Sequence, residues 1–228
     1  MLICEIGNVH GGNLDYAKTH IRAAHESGAD ICKMQAFLAD DISGGSMPKR
    51  FYEQCEFTIR QHIELIYYAR SIGTDLFYSI FSPTFWTLQF HQNYFKIAGS
   101  QIKNNYFALE LFDSPNVIFS VPQAAVLKRV PKVERAFPLY VGEYLKEPQL
   151  HYIETLEKHF NKPVGYSDHT EGVDNCLRAY ETYGCDIIEK HFTLEKNVGF
   201  YGQIFRDTVH GATPSEFETL AKRVKGKH

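Results

Sequence analysis

Apolar positions along this chain alternate between two patterns. One is short continuous runs rich in β-branched and aromatic residues, and the other is longer stretches in which apolar residues recur with the helical period. The runs predict eight strands, over Leu2 to Ile6, Asp30 to Gln35, Thr74 to Phe81, Tyr94 to Ala98, Asn116 to Val121, Leu139 to Tyr144, Pro163 to Ser167 and Asp186 to His191. Helices are predicted over Leu14 to Ser27, Phe51 to Ser71, Pro83 to His91, Tyr106 to Phe112, Gln123 to Val133, Leu150 to Phe160, Gly172 to Tyr183 and Pro214 to Val224. Gly28, Gly73 and Gly184 stand where helices should stop, and Asp15, Ser82 and Ser215 stand near starts. Repeated βα units joined by right-handed crossovers build a parallel sheet, and eight of them close into an α/β (β/α)8 TIM barrel of about this length. A doubly wound open sheet is the alternative.

In such a barrel, chemistry sits on the C-terminal ends of the strands and the loops that follow. Those positions carry Glu5, Asn8 and His10, then Lys33 and Gln35, then Lys96, Ser100 and Gln101, then Ser120, Glu143 and Tyr144. The last two strands end in Ser167, Asp168 and His169, and in Glu189, Lys190 and His191. The two strands flank one helix and run parallel, so both histidines leave the sheet at the same end. Neutral imidazole is the commonest side-chain ligand of a divalent metal, and the pair predicts a metal site.

Composition narrows the function classes. The chain has 228 residues, is 44% hydrophobic and 22% charged, and carries no dividing linker, so one domain over 1–228 is expected. A net charge of -3 with both signs interspersed indicates neither nucleic acid nor an anionic membrane as partner. No apolar stretch approaches a membrane span, and Met1 runs straight into a strand without a secretion signal, so a cytoplasmic protein with a small-molecule ligand is expected. The five cysteines lack CxxC spacing and lie mostly in apolar runs, which argues for a reducing compartment and against a thiolate metal site.

Lys33 and Lys96 sit inside apolar runs, where an unpartnered charge is costly. Either they form ion pairs inside the barrel with Glu5 or Glu189, or their ammonium groups hold an anionic ligand. Two lysines on separate strands favour the anion site. His10, next to Gly11 and Gly12, either contacts substrate or caps its loop.

Five segments together resemble the sialic acid (N-acetylneuraminate) synthase family. They are Ile3-Cys4-Glu5-Ile6-Gly7, Lys33-Met34-Gln35-Ala36-Phe37, Phe95-Lys96-Ile97-Ala98, the run Pro163 to Thr170 and the run Glu189 to Thr193. They follow the family's order over almost the whole chain, and the last two are the specific ones. The resemblance implies a barrel transferase that joins phosphoenolpyruvate to a sugar aldehyde, forming a C–C bond and a sialic-acid-like 2-keto-3-deoxy sugar acid. It implies His169 and His191 as ligands of Mn2+ or Mg2+, and Lys33, Lys96, Ser120 and Ser167 around phosphoenolpyruvate. Gln35, Tyr144 and Asp207 match sugar-contacting positions, with Glu5, Gln101 and Asp207 as the catalytic candidates.

Departures from the family pattern accompany the match. Gly99-Ser100-Gln101 replaces Ser-Gly-Glu, which turns an expected carboxylate into an amide, and Ser120-Val121-Pro122 replaces Ser-Thr-Gly. The loop Leu194 to Arg206 is longer than the family's and predicts a flexible aromatic lid. The chain ends at His228, before the small antifreeze-like domain that in the family completes the site across a dimer. The expected partners are therefore the two small-molecule substrates, with a homodimer or separate subunit completing the site. A different metal-dependent aldol or isomerase reaction on a sugar acid is one alternative. The other is a non-catalytic barrel that binds an anionic metabolite or a partner subunit. Intact His169, His191, Lys33 and Lys96 favour chemistry, while Gln101 and the missing domain favour degeneration.

Overall fold

The computed structural model describes residues 1–42, 45–99, 101, 115–122 and 134–226. Its strands are β1 Leu2–Gly7, β2 Ile31–Ala36, β3 Asp75–Ile80, β4 Phe95–Ile97, β5 Val117–Val121, β6 Phe137–Val141, β7 Gly165–Asp168 and β8 Ile188–His191. They close in sequence order into an eight-stranded barrel whose neighbours are all parallel. The TIM barrel expected from the alternation of runs is the fold observed.

Strand residues alternate between the barrel interior and the helical layer, with a period of two. The inward set stacks in layers. Ile3, Ile31, Phe77, Ile118, Leu139 and Ile187 form an apolar plug at the N-terminal end of the barrel. Above it the register sets Glu5 beside Lys33 and His191, Ser79 beside Lys96, and Ser167 beside Glu189. The inward positions are thus apolar below and charged above, so the polar groups face one mouth. The outward set, Leu2, Cys4, Ile6, Cys32, Met34, Leu76 and Tyr78 among it, packs with the helices into the main core.

Helix ends show where local chemistry overrode the apolar period. The single helix predicted over Phe51 to Ser71 is two, Lys49–Cys55 and Ile59–Ser71. Glu56 turns to extended backbone, and Thr58 opens a new helix with a capping box closed by Gln61. Asp15 and Ser215 stand in the first turns of their helices, as near-start positions, and the N-caps are Asn13 and Thr213. Pro83–Phe90 is a 3-10 helix, with Ser82 as its N-cap. The helices predicted over Tyr106 to Phe112 and Gln123 to Val133 lie outside the described residues.

The loop expected to be a flexible lid is a pinned hairpin, strands Gly199–Phe200 and Gln203–Ile204 joined by Tyr201 and Gly202. Both turn residues have positive φ, 53° and 79°, as a two-residue hairpin turn requires. Phe200 packs on Phe51 with ring centroids 5.0 Å apart, and the Arg50 guanidinium lies 4.3 Å from the Tyr201 ring centre. Beneath it Gly11 has no room for a side chain, since a Cβ there would sit 2.6 Å from Phe200.

Among the described residues no helix is long and apolar enough to cross a membrane. All five cysteines are buried free thiols.

Candidate active site at the barrel mouth

A cavity of about 380 Å³ opens at the C-terminal end of the strands. Its walls include Glu5, Lys33, Gln35, Lys96, Ser120, Tyr144, Ser167, His169, Glu189 and His191. These are predicted site residues together with one, Glu189, that the sequence offered as a polar strand end and as a partner for the lysines.

Four buried charges form its floor. Lys33 pairs with Glu5 and lies 3.5 Å from Glu189, whose other oxygen is 2.9 Å from Lys96. Ser167 donates a hydrogen bond to Glu189 at 2.9 Å, and Lys33 reaches Ser79 at 3.4 Å. Burial alone would push the Glu189 carboxyl up, but Lys33 and Lys96 outweigh it and hold it at about 2. Burial lowers the Lys33 ammonium to about 8 against the attraction of Glu189, and lowers Lys96 as well. The two lysines are therefore ion-paired within the barrel with Glu5 and Glu189, the first of the two arrangements that the sequence left open. An anionic ligand here must share them with two carboxylates.

Above this floor stand the imidazoles. His169 and His191 follow one another around the rim with ring centroids 5.0 Å apart, so the two strand ends do bring them together. The Nδ1 of each is buried without a hydrogen-bond partner. Burial lowers His169 to about 4 and His191 well below the usual histidine range, so both rings are neutral and present lone pairs. Tyr144, in the loop after β6 rather than in the strand predicted to reach it, covers His169 at 4.3 Å. The Arg206 guanidinium lies 3.7 Å from the centre of the Tyr144 ring.

Two further groups stand beside His191, outside the cavity lining. Asp207, expected at the sugar and among the catalytic residues, has Oδ2 3.9 Å from His191 Nδ1, and burial raises its carboxyl to about 6. His210, which the sequence reading passed over, lies edge-on to His191 at 4.6 Å. Ligand atoms of His191, Asp207 and His210 all fall within 4.8 Å of one another. The signal was present in the Asp207-x-x-His210 spacing, which puts both side chains on one side of the short helix Arg206–His210.

Other candidates have different places. Gln101 spends its amide on backbone, accepting from Ala98 N–H at 2.9 Å and donating to the Ile80 carbonyl at 2.8 Å, and does not line the cavity. Gln35 accepts from Asn8 at 3.0 Å and faces the cavity. His10 accepts from Gly12 N–H at 3.0 Å and stacks on Phe57, so it holds its own loop. Asp168 and Lys190, grouped in the sequence with the converging polar residues, point the other way. They pair at 2.6 Å beneath the helix Asp174–Tyr183, where Tyr166 donates to Asp168 at 2.7 Å. The strand period alone would have separated them from Ser167, Glu189 and the two histidines.

Known proteins share this arrangement of elements. The NeuB family model matches residues 132–227. The chain is 28% identical to the N,N'-diacetyllegionaminic acid synthase of Campylobacter jejuni, over 87% of its own length and 69% of that protein's. It is 29% identical to the N-acetylneuraminate-9-phosphate synthase of Homo sapiens, over 98% of its own length and 69% of the relative's. The crystal structure of an N-acetylneuraminic acid synthetase from Leptospira borgpetersenii superposes with a TM-score of 0.84 at 26% identity, covering 99% of this chain and 82% of that one. The chain thus matches the NeuB family model over its C-terminal part and is similar along most of its length to sialic, legionaminic and pseudaminic acid synthases.

Proposed function

We propose that this chain is a metal-dependent transferase that condenses phosphoenolpyruvate with a sugar-like aldehyde to give a 2-keto-3-deoxy sugar acid. The observation that carries the reading is a single cavity with two neutral imidazoles at its rim and the Lys33, Lys96, Glu5 and Glu189 quartet at its floor. The donor set fits a divalent cation, because His169 and His191 offer buried nitrogens without partners on adjacent strand ends. An ion held there, Mn2+ or Mg2+, supplies Lewis-acid polarisation of the aldehyde oxygen.

The chain's own residues do the rest by positioning. Lys33 and Lys96 bind the phosphate and carboxylate of phosphoenolpyruvate, while Glu5 and Glu189 keep both ammonium groups aimed at the cavity before it arrives. Ser120 and Ser167 border the same floor as hydroxyl donors, and Gln35 and Tyr144 wall the side on which the sugar enters. The methylene carbon of phosphoenolpyruvate forms a bond to the aldehyde carbon, water adds at the carbon bearing the phosphate, and phosphate departs. Holding the two substrates at attack distance is the main source of acceleration, about 7–11 kcal/mol in favourable cases. Five buried thiols fit a reducing, cytoplasmic setting for a single barrel domain acting on small molecules.

A phosphate-release assay with phosphoenolpyruvate, Mn2+ and a panel of aldehyde sugars tests this. Release that depends on both substrates, and falls at least about 100-fold in His169→Ala and in His191→Ala, is expected. Binding of phosphoenolpyruvate with no release for any sugar would instead favour a binding module.

A further inference from the structure

We infer that His210 is an additional metal ligand, which with His169, His191 and Asp207 forms a set of three imidazoles and one carboxylate favouring a borderline transition-metal ion over Mg2+. The inference rests on the reading above that a cation sits at His169 and His191.

Backbone bonds fix His210 against the end of β8. Ala212 N–H donates to the His191 carbonyl at 2.6 Å, Thr193 N–H donates to the Ala212 carbonyl at 3.0 Å, and Gly211 N–H closes the short helix on the Asp207 carbonyl at 2.9 Å. Gly211 is needed for that closure, since a Cβ there would lie 2.6 Å from the Asp207 oxygen. The result is a cluster of rings, His210 at 4.6 Å from His191 and 5.7 Å from His169, with the Asp207 carboxylate on the same side.

Donor atoms sharing one ion at about 2.1 Å each lie roughly 3–4 Å apart. The His191 to Asp207 separation of 3.9 Å is already in that range and the three-residue group closes within 4.8 Å, while His169, outside that group, joins it by rotation of a ring centred 5.0 Å from that of His191. His169 and His191 line the cavity while Asp207 and His210 do not, so an ion held by all four keeps a side open to substrate. Three nitrogens and one oxygen suit Zn2+, Co2+ or Fe2+, whereas Mg2+ prefers an oxygen shell and keeps its waters. A ring that merely packed between Tyr144 and His191 would leave metal affinity unchanged when replaced.

Titration of the metal-free protein with Co2+, followed by its visible absorption, separates these outcomes, with His210→Gln and His210→Asn as variants and Mg2+ as competitor. The ligand role predicts at least about tenfold weaker Co2+ binding in both variants, a changed absorption band, and a smaller loss for Mg2+. Matching melting temperatures of the metal-free variants and wild type confirm folding. Counting nitrogens coupled to the bound ion in the wild type by pulsed electron paramagnetic resonance needs no variant at all, and three are expected. Variants that bind Co2+ as tightly as wild type with the same band, or a count of two, would overturn the role of His210 and leave the condensation reading standing. A wild-type protein that binds no divalent ion would overturn both.

Discussion

Single residues divide into those whose type announces their role and those whose role depends on what lies across the barrel. Histidines ending two neighbouring strands were legible because strand polarity alone puts them at one rim. Lys33 and Lys96 were only half legible, since no sequence pattern states which carboxylate stands opposite a lysine before the register is known; Glu5 and Glu189 do so here. Gln101 is the sharpest case of a residue whose setting changes its meaning. Its amide accepts from one backbone group and donates to another, and Gln101→Glu keeps the acceptor but turns the donor into a second acceptor facing the Ile80 carbonyl. The substitution is expected to cost about 1–3 kcal/mol in urea unfolding and to gain no activity. Lys190 makes the opposite test, because it pairs with Asp168 in the helical layer, away from the cavity. Lys190→Met strands a buried carboxylate and should lose about 3–5 kcal/mol, part of which returns in the double variant with Asp168→Asn.

At the scale of elements, the strands were readable from their apolar runs, and helix boundaries less so. A continuous helical period ran from Phe51 to Ser71, yet Thr58 and Gln61 interrupt it with a capping box that supplies partners for backbone donors left open where the second helix starts. Thr58→Ala should therefore cost about 1 kcal/mol in thermal or chemical unfolding, whereas Asp15→Ala, a first-turn residue rather than a cap, should cost less than half as much. The hairpin Gly199 to Ile204 escaped because its aromatic and glycine residues read as a mobile cover. Contacts from Phe200 and Tyr201 to the helix Lys49–Cys55 fix it instead, and those contacts join segments too distant in sequence for any local pattern to show.

For the molecule as a whole, barrel closure followed from eight alternating units, and the layered interior followed from closure. Beyond the barrel mouth, burial of neutral histidines links stability to pH. Burial lowers His10 and His62 to about 3 and His20 to about 4. In the unfolded chain they take up protons near pH 6.5, so the unfolded state binds more protons between that value and pH 3–4. Their contribution is intact above pH 6.5 and is lost as pH falls toward 4, and the metal-free protein should show a melting temperature that drops steeply across that window. A flat profile between pH 6.5 and 4 would mean that these rings are solvated.

The central claim is that one cavity brings an enolpyruvate and an aldehyde together, and mass spectrometry of the product tests it most directly. Incubation of the metal-loaded protein with phosphoenolpyruvate and the aldehyde sugar that releases phosphate should yield one new acid whose mass is that of the two substrates plus water less phosphoric acid. Its formation should cease when the divalent ion is chelated and in His169→Ala. Pyruvate and unchanged sugar as the only products, or phosphoenolpyruvate recovered intact with every aldehyde and every divalent ion, would contradict it.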